Sequence, residues 1–205
     1  KFNRLCWRIA PQTMVVRARK SLQTTNFILM YKTATQILTR FLKPSTIYKY
    51  GFNWSPMYRR TTAKIISVSD NLHYVKIKMS LNWKNRNYAG SIFGGSMLAA
   101  TDPIYMIQLI QILGNDYVVW DKAVTARYKR PGKGTIYGEF IFDKNEILDL
   151  KSQLQQTPQI DIIKTMQLVN DKGDTIAEFD KTLYIATKTF YKEKIASRNA
   201  KKKTN

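Results

Sequence analysis

The sequence predicts an α+β fold: one long buried helix wrapped by an antiparallel sheet of five to six strands, with a helical basic N-terminal extension. Two observations carry that reading. A segment from Ser96 to Leu113 has apolar residues on nearly every face and stops at Gly114, as a buried helix with a C-cap glycine does. Two runs before it and four after it are rich in Ile, Val, Tyr and Thr and are bounded by turn residues, the mark of strands. A single layer of strands around one helix is a stable α+β solution.

In chain order, residues 27 to 42 place Phe27, Met30, Tyr31, Ala34, Ile37, Leu38 and Phe41 at helical spacing, and Lys43-Pro44 closes that amphipathic stretch. Thr61 to Ser69 and Leu72 to Met79 form a predicted hairpin with Asp70-Asn71 as a two-residue turn. Gly90, Gly94 and Gly95 lead into the long helix. Tyr117 to Tyr128, Gly134 to Phe142, Ile160 to Val169 and Thr175 to Ala186 are the four later strands, the last two joined by the turn Asp171-Lys172-Gly173-Asp174. Between them, Asp143 with Glu146 three residues on opens a short helix that carries Ile147, Leu150 and Leu154. The expected organisation is an extension over 1–59, a domain over 60–188 and a basic tail over 189–205.

Charge divides the same way. The 205 residues hold 34 Lys+Arg against 14 Asp+Glu, a formal net charge of +20. Residues 1–69 carry 13 basic and no acidic side chains, residues 70–187 carry 14 against 13, and residues 188–205 carry seven against one. The basic excess sits on two arms, so direct nucleic-acid reading by the neutral centre is not expected. The arms are expected to contact acidic protein surfaces, RNA or anionic lipid within a larger complex. Arg4, Arg8, Arg17, Arg19, Ser21, Thr24 and Thr25 give the N-terminus the composition of a mitochondrial targeting segment, and equally that of a basic surface arm; mitochondrial location is the expectation.

One Cys, Cys6, and one His, His73, leave no intrachain disulfide and no zinc-type ligand set, so no metal and no cofactor are expected. No run reaches the roughly 18 uninterrupted apolar residues of a spanning helix. His73 lacks an acidic or nucleophilic partner at motif spacing and reads as structural, and Cys6 has no neighbouring base.

One constellation carries chemistry. Glycines at 94 and 95 let a carbonyl approach bare backbone, and the N–H groups opening the helix direct a partial positive charge at an oxygen that becomes an oxyanion. Asp102, two turns on, is a candidate general base or nucleophile. A carboxylate buried on an apolar helix must be paired, protonated or used; the alternative is that Asp102 hydrogen-bonds a local bend at Pro103. Asn87 is a candidate to orient carbonyl or water. Phe93 reads as a core aromatic beside a substrate, Asp121 as facing solvent or a salt bridge, and Lys129, Arg130 and Lys133 as contacts for ligand phosphates or a solvated face.

The stretch Asn87-Tyr-Ala-Gly90-Ser-Ile-Phe93-Gly94-Gly95-Ser-Met-Leu-Ala-Ala-Thr-Asp102 resembles the signature of hotdog-fold thioesterases of the phenylacetyl-CoA thioesterase type. In that family an Asn precedes a His-Gly-Gly turn and a helix bearing an acid; Phe93 stands where the His would be, as in an uncharacterised branch. Ala126-Arg-Tyr-Lys-Arg-Pro131-Gly-Lys-Gly134 is similar to that family's strand ending in Pro before a Gly turn. The resemblance covers about residues 60 to 188. It implies hydrolysis or binding of acyl-CoA or acyl-carrier thioesters at Asp102, Asn87, Gly94 and Gly95, with Phe93, Lys129 and Arg130 binding substrate, and pairing as a homodimer or with another hotdog chain. The alternative is a catalytically degenerate subunit of a large mitochondrial assembly, a respiratory complex or a ribosome, held by its arms.

Overall fold

The computed structural model describes residues 42–203, and the amphipathic stretch expected from Phe27 to Phe41 lies outside them. A compact unit begins at Pro44. It opens with two helices that have no counterpart in the sequence-based expectation, α1 (Pro44–Trp54) and α2 (Pro56–Arg59), each starting on a proline whose missing N–H costs a helix nothing there. Tyr48, Phe52 and Tyr58 are buried and pack in series, Tyr48 stacked on Phe52 at 4.7 Å between centroids and Phe52 edge-on to Tyr58 at 5.2 Å. Tyr48 and Tyr58 donate through Oη to the Ile104 and Ala100 carbonyls, both at 3.2 Å, and burial raises both phenols well above the ordinary tyrosine pKa. The boundary expected at residue 60 therefore runs through a packed unit, because these aromatic side chains belong to the core.

The strands are β1 (Lys64–Val68), β2 (Tyr74–Ser80), β3 (Tyr117–Tyr128), β4 (Thr135–Ile141), β5 (Gln159–Asn170) and β6 (Thr175–Thr187). They form one six-stranded sheet, ordered β1-β2-β4-β5-β6-β3, antiparallel throughout. The β1–β2 turn is wider than the two residues expected. Asn71 Oδ1 accepts from Ser69 Oγ and from the His73 N–H, and Leu72 takes a positive φ of 61°. His73 presents Nδ1 to the Phe142 carbonyl at 2.7 Å, so that nitrogen carries the proton and the ring ties the turn to β4.

Helix α3 (Gly94–Leu113) lies against the sheet, burying Ala100, Ile104 and Leu109 fully, and ends at Gly114 with φ 83°. It is long and apolar enough to cross a membrane by length and composition alone, and here it is the core helix of the fold. Helix α4 (Lys144–Gln156) is capped as its sequence predicts: Asp143 Oδ1 accepts from the Asn145 N–H, Glu146 Oε2 accepts from the Asp143 N–H, and Ile147, Leu150 and Leu154 are buried. The basic tail is a helix, α5 (Lys188–Lys203), whose Lys194 donates to Gln159 and lies over the Tyr184 ring.

Two features of the sheet position the site. Strand β3 is an edge strand paired only with β6, and a bulge interrupts that ladder between Asp121 and Ala123. Strand β6 points Ala177, Phe179, Lys181, Leu183 and Ile185 into the core. Lys181 is the charged member of that row.

Candidate active site

Asn87 builds the approach to α3. Its Oδ1 accepts from the Ser91 N–H at 3.1 Å, its Nδ2 donates to Ser91 Oγ at 3.0 Å, and its carbonyl accepts from Gly90, which supplies the positive φ of 75° that the turn needs. The side chain is thus committed to the turn. Hydrogen bonds from Ile92 N–H to the Gly132 carbonyl and from Phe93 N–H to the Asn85 carbonyl, 2.8 and 2.7 Å, then fix the entry of the helix.

Phe93 is the N-cap residue, and its carbonyl accepts from Ser96 and Met97. The N–H groups of Gly94 and Gly95 find no acceptor among the described residues, as expected of the first turn of a helix. A groove of about 540 Å³ lies in front of Gly94. It brings together Asn87, Phe93, Gly94, Lys129 and Arg130 from the sequence-predicted set. Arg130 donates one guanidinium N–H to the Thr175 carbonyl at 3.1 Å, which ties the cation to the start of β6. Gly95, Lys133 and Asp102 do not line this groove.

Two expectations need correction. Phe93 is not a core side chain: it is 57% exposed, and its ring lies where a Cβ on Gly95 would be, with a nearest atom at 2.3 Å. Tyr128 stands likewise over Gly94, 2.9 Å from a would-be Cβ, and donates to the Gly94 carbonyl at 3.1 Å. The backbone of the glycine pair is therefore bordered by two aromatic rings, and Tyr128 is a groove residue the sequence argument missed. Its signal was its place immediately before the paired cations Lys129 and Arg130 and the Pro131 turn.

Asp102 is not buried either; its side chain is 56% exposed. The desolvation burden falls on its partner. Lys181 has no exposed side-chain surface, and its Nζ donates to Asp102 Oδ1 at 2.8 Å and to the Asp102 carbonyl at 2.7 Å. Asp121 Oδ1 lies 3.1 Å from the same nitrogen, an ion pair by distance that is not aligned as a hydrogen bond, so that oxygen stays without a proper donor. Burial pushes the Asp121 carboxyl up, and the nearby Asp102 charge adds to this while the Lys181 cation opposes it. Asp121 thus makes the salt bridge its sequence position allowed. Eight residues of helix separate Gly94 from Asp102, a rise of about 12 Å, so the two cannot act on one carbonyl within a single chain.

An antiparallel sheet wrapped on one central helix, with a glycine turn opening that helix, is the hotdog fold of thioesterase-like proteins. The family model described as "Domain of unknown function (DUF4442)" matches residues 47–185, and the chain belongs to that family. Among solved structures it is similar to a Pseudomonas aeruginosa protein of unknown function described as a probable thioesterase, with TM-score 0.62 and 19% identity over 69% of this chain and 95% of that one. It is similar to a Chlorobaculum tepidum protein of unknown function, with TM-score 0.56 and 18% identity over 68% and 91%. A Haemophilus influenzae thioesterase matches with TM-score 0.50 and 11% identity over 67% and 87%. These likenesses define the fold. No curated protein matches the chain by sequence.

Proposed function

We propose that the protein binds acyl thioesters of coenzyme A or an acyl carrier in the groove before α3 and hydrolyses them, with Asp102 as the general base. The observation that carries this is the groove itself: the unpaired Gly94 N–H at the helix opening and two cations, Lys129 and Arg130, line one cleft in a thioesterase-like fold. The Gly94 N–H receives the carbonyl oxygen as it becomes an oxyanion, and Lys129 and Arg130 hold phosphate. Water attacks the carbonyl carbon and gives its proton to Asp102 Oδ2, the oxygen Lys181 leaves free. The C–S bond then breaks and the proton returns to the departing thiolate.

The 12 Å rise along α3 makes this chemistry a property of two copies. Asp102 is exposed and shares Lys181 with Asp121 on the edge strand β3, so pairing of two copies through that edge would bring Asp102 of one toward the glycine turn of the other. The test is hydrolysis of a series of acyl-CoA chain lengths by the full chain and by Asp102→Asn. Turnover by the wild type that falls by orders of magnitude in the variant is the expected result. Equal rates in both would remove Asp102 from the reaction.

A second reading rests on Phe93 and Tyr128, whose rings stand over the glycine pair. In it the chain is a thioesterase-derived subunit of a larger, mitochondrial assembly that is held by its basic arms. Absence of turnover across the series, with attachment to the assembly lost in high salt, selects this reading.

A further inference from the structure

Lys181 is the one lysine among the described residues with no exposed surface. It sits in phase with the core-facing residues of β6, where an apolar side chain of similar volume would pack without any desolvation of charge. Its three contacts converge on the junction of α3 with the edge strand. Two of them grip the same residue, one at the Asp102 carbonyl and one at Oδ1, at 2.7 and 2.8 Å. Two fixed points on one residue define its side-chain torsions, so the carboxylate is held in a single orientation with Oδ2 turned outward. The third contact, to Asp121 at 3.1 Å, ties that grip to the bulge of β3. An exposed aspartate on a helix ordinarily samples several rotamers; this one is anchored from inside the protein.

We infer that Lys181 is a positioning residue that holds the Asp102 carboxylate in its reactive orientation and references it, through Asp121, to the edge strand. This rests on the hydrolase reading above for its consequence, though not for its geometry. Lys181 touches neither substrate nor the reacting atoms. It acts by removing the freedom of the base, and its cation neutralises the inner oxygen while Oδ2 keeps its access to water. The structural alternative, in which the lysine only fills the core, requires nothing of Asp102.

The experiment uses the full chain. Lys181→Met, close to lysine in volume and without charge, is crystallised and assayed on acyl-CoA in parallel. The Asp102 side chain is expected to leave its present rotamer or lose its order, and kcat is expected to fall about 100-fold, the scale of a misplacement of about 1 Å. KM should stay within about threefold, since binding groups are untouched. In an Asp102→Asn background the same substitution should cause no further loss, because the group it positions is already gone. An Asp102 side chain unmoved in Lys181→Met, an unchanged kcat, or fully additive losses would each overturn the assignment. Should Lys181→Met fail to fold with Asp121 left unpaired, Lys181→Met/Asp121→Asn removes both charges and carries the same expectations. A wild type without turnover would sink the hydrolase reading alone, and the crystallographic comparison would still decide whether Lys181 positions Asp102.

Discussion

Asp102 carries its charge at the surface of α3 while the lysine that neutralises it lies inside, and this arrangement decides what substitutions there do. Asp102→Asn changes an exposed side chain by almost no volume, so the melting temperature should stay within a few degrees while hydrolysis falls by about 10²–10⁴, the contribution of a positioned general base. Circular dichroism melts and a thiol-release assay check the two halves of that statement. That Asn87, Gly94, Lys129 and Arg130 would come to one place was legible, because a turn opening a helix and a strand ending in bases are local signals, and the groove is lined by all four. That Asp102 is exposed was not legible, since the apolar composition of a helix does not say which face meets an open sheet edge. Lys181 was available from phase: it falls on the same side of the strand as Ala177, Phe179, Leu183 and Ile185.

At the scale of elements, β3 is tied to the sheet by charge across three strands. Arg127 on β3 donates to Glu178 Oε1 at 2.8 Å and to Asp180 Oδ2 on β6, while Gln167 and Thr165 on β5 donate to the same two carboxylates at 3.0 and 2.7 Å. The Arg127 hydrogen bonds hold both carboxyls below their ordinary values of 4.5 and 3.8. With folded-state pKa values below the unfolded ones, their contribution to stability is present above pH 4.5 and is lost as pH falls through the depressed values. Unfolding by denaturant followed from pH 6 to pH 3 should show this loss, and Arg127→Met should flatten it; identical pH curves would contradict the assignment.

Helices α1 and α2 make a second element-scale case. Phe52→Ala should destabilise the fold by about 3–5 kcal/mol, read from urea midpoints, because the ring stacks on Tyr48 and meets Tyr58 edge-on in the core. A chain lacking residues 1–43 should keep its cooperative transition, and one lacking residues 1–58 should lose it. The strands and α4 were legible because period-two runs, turn residues and a capping box are local signals. Helices α1 and α2 were not: Gly51 lowers helix propensity, and what holds them is tertiary burial of three aromatic side chains.

For the whole molecule, association is expected at the open β3 edge. Trp120, Val124 and Tyr128 are exposed along it, and its outer ladder is unpaired. Sedimentation of the full chain should give a dimer, and Trp120→Lys should shift it toward monomer with loss of turnover. The most direct measurement of the composite site is subunit complementation between two inactive variants, Asp102→Asn and Gly94→Val, the latter placing bulk against the Tyr128 ring. Mixed under conditions that exchange subunits, they should recover roughly a quarter of wild-type acyl-CoA hydrolysis, since half of randomly paired dimers carry one intact site of two. No recovery from a mixture shown to contain the mixed dimer, beside an active wild type, would contradict a site shared between two copies.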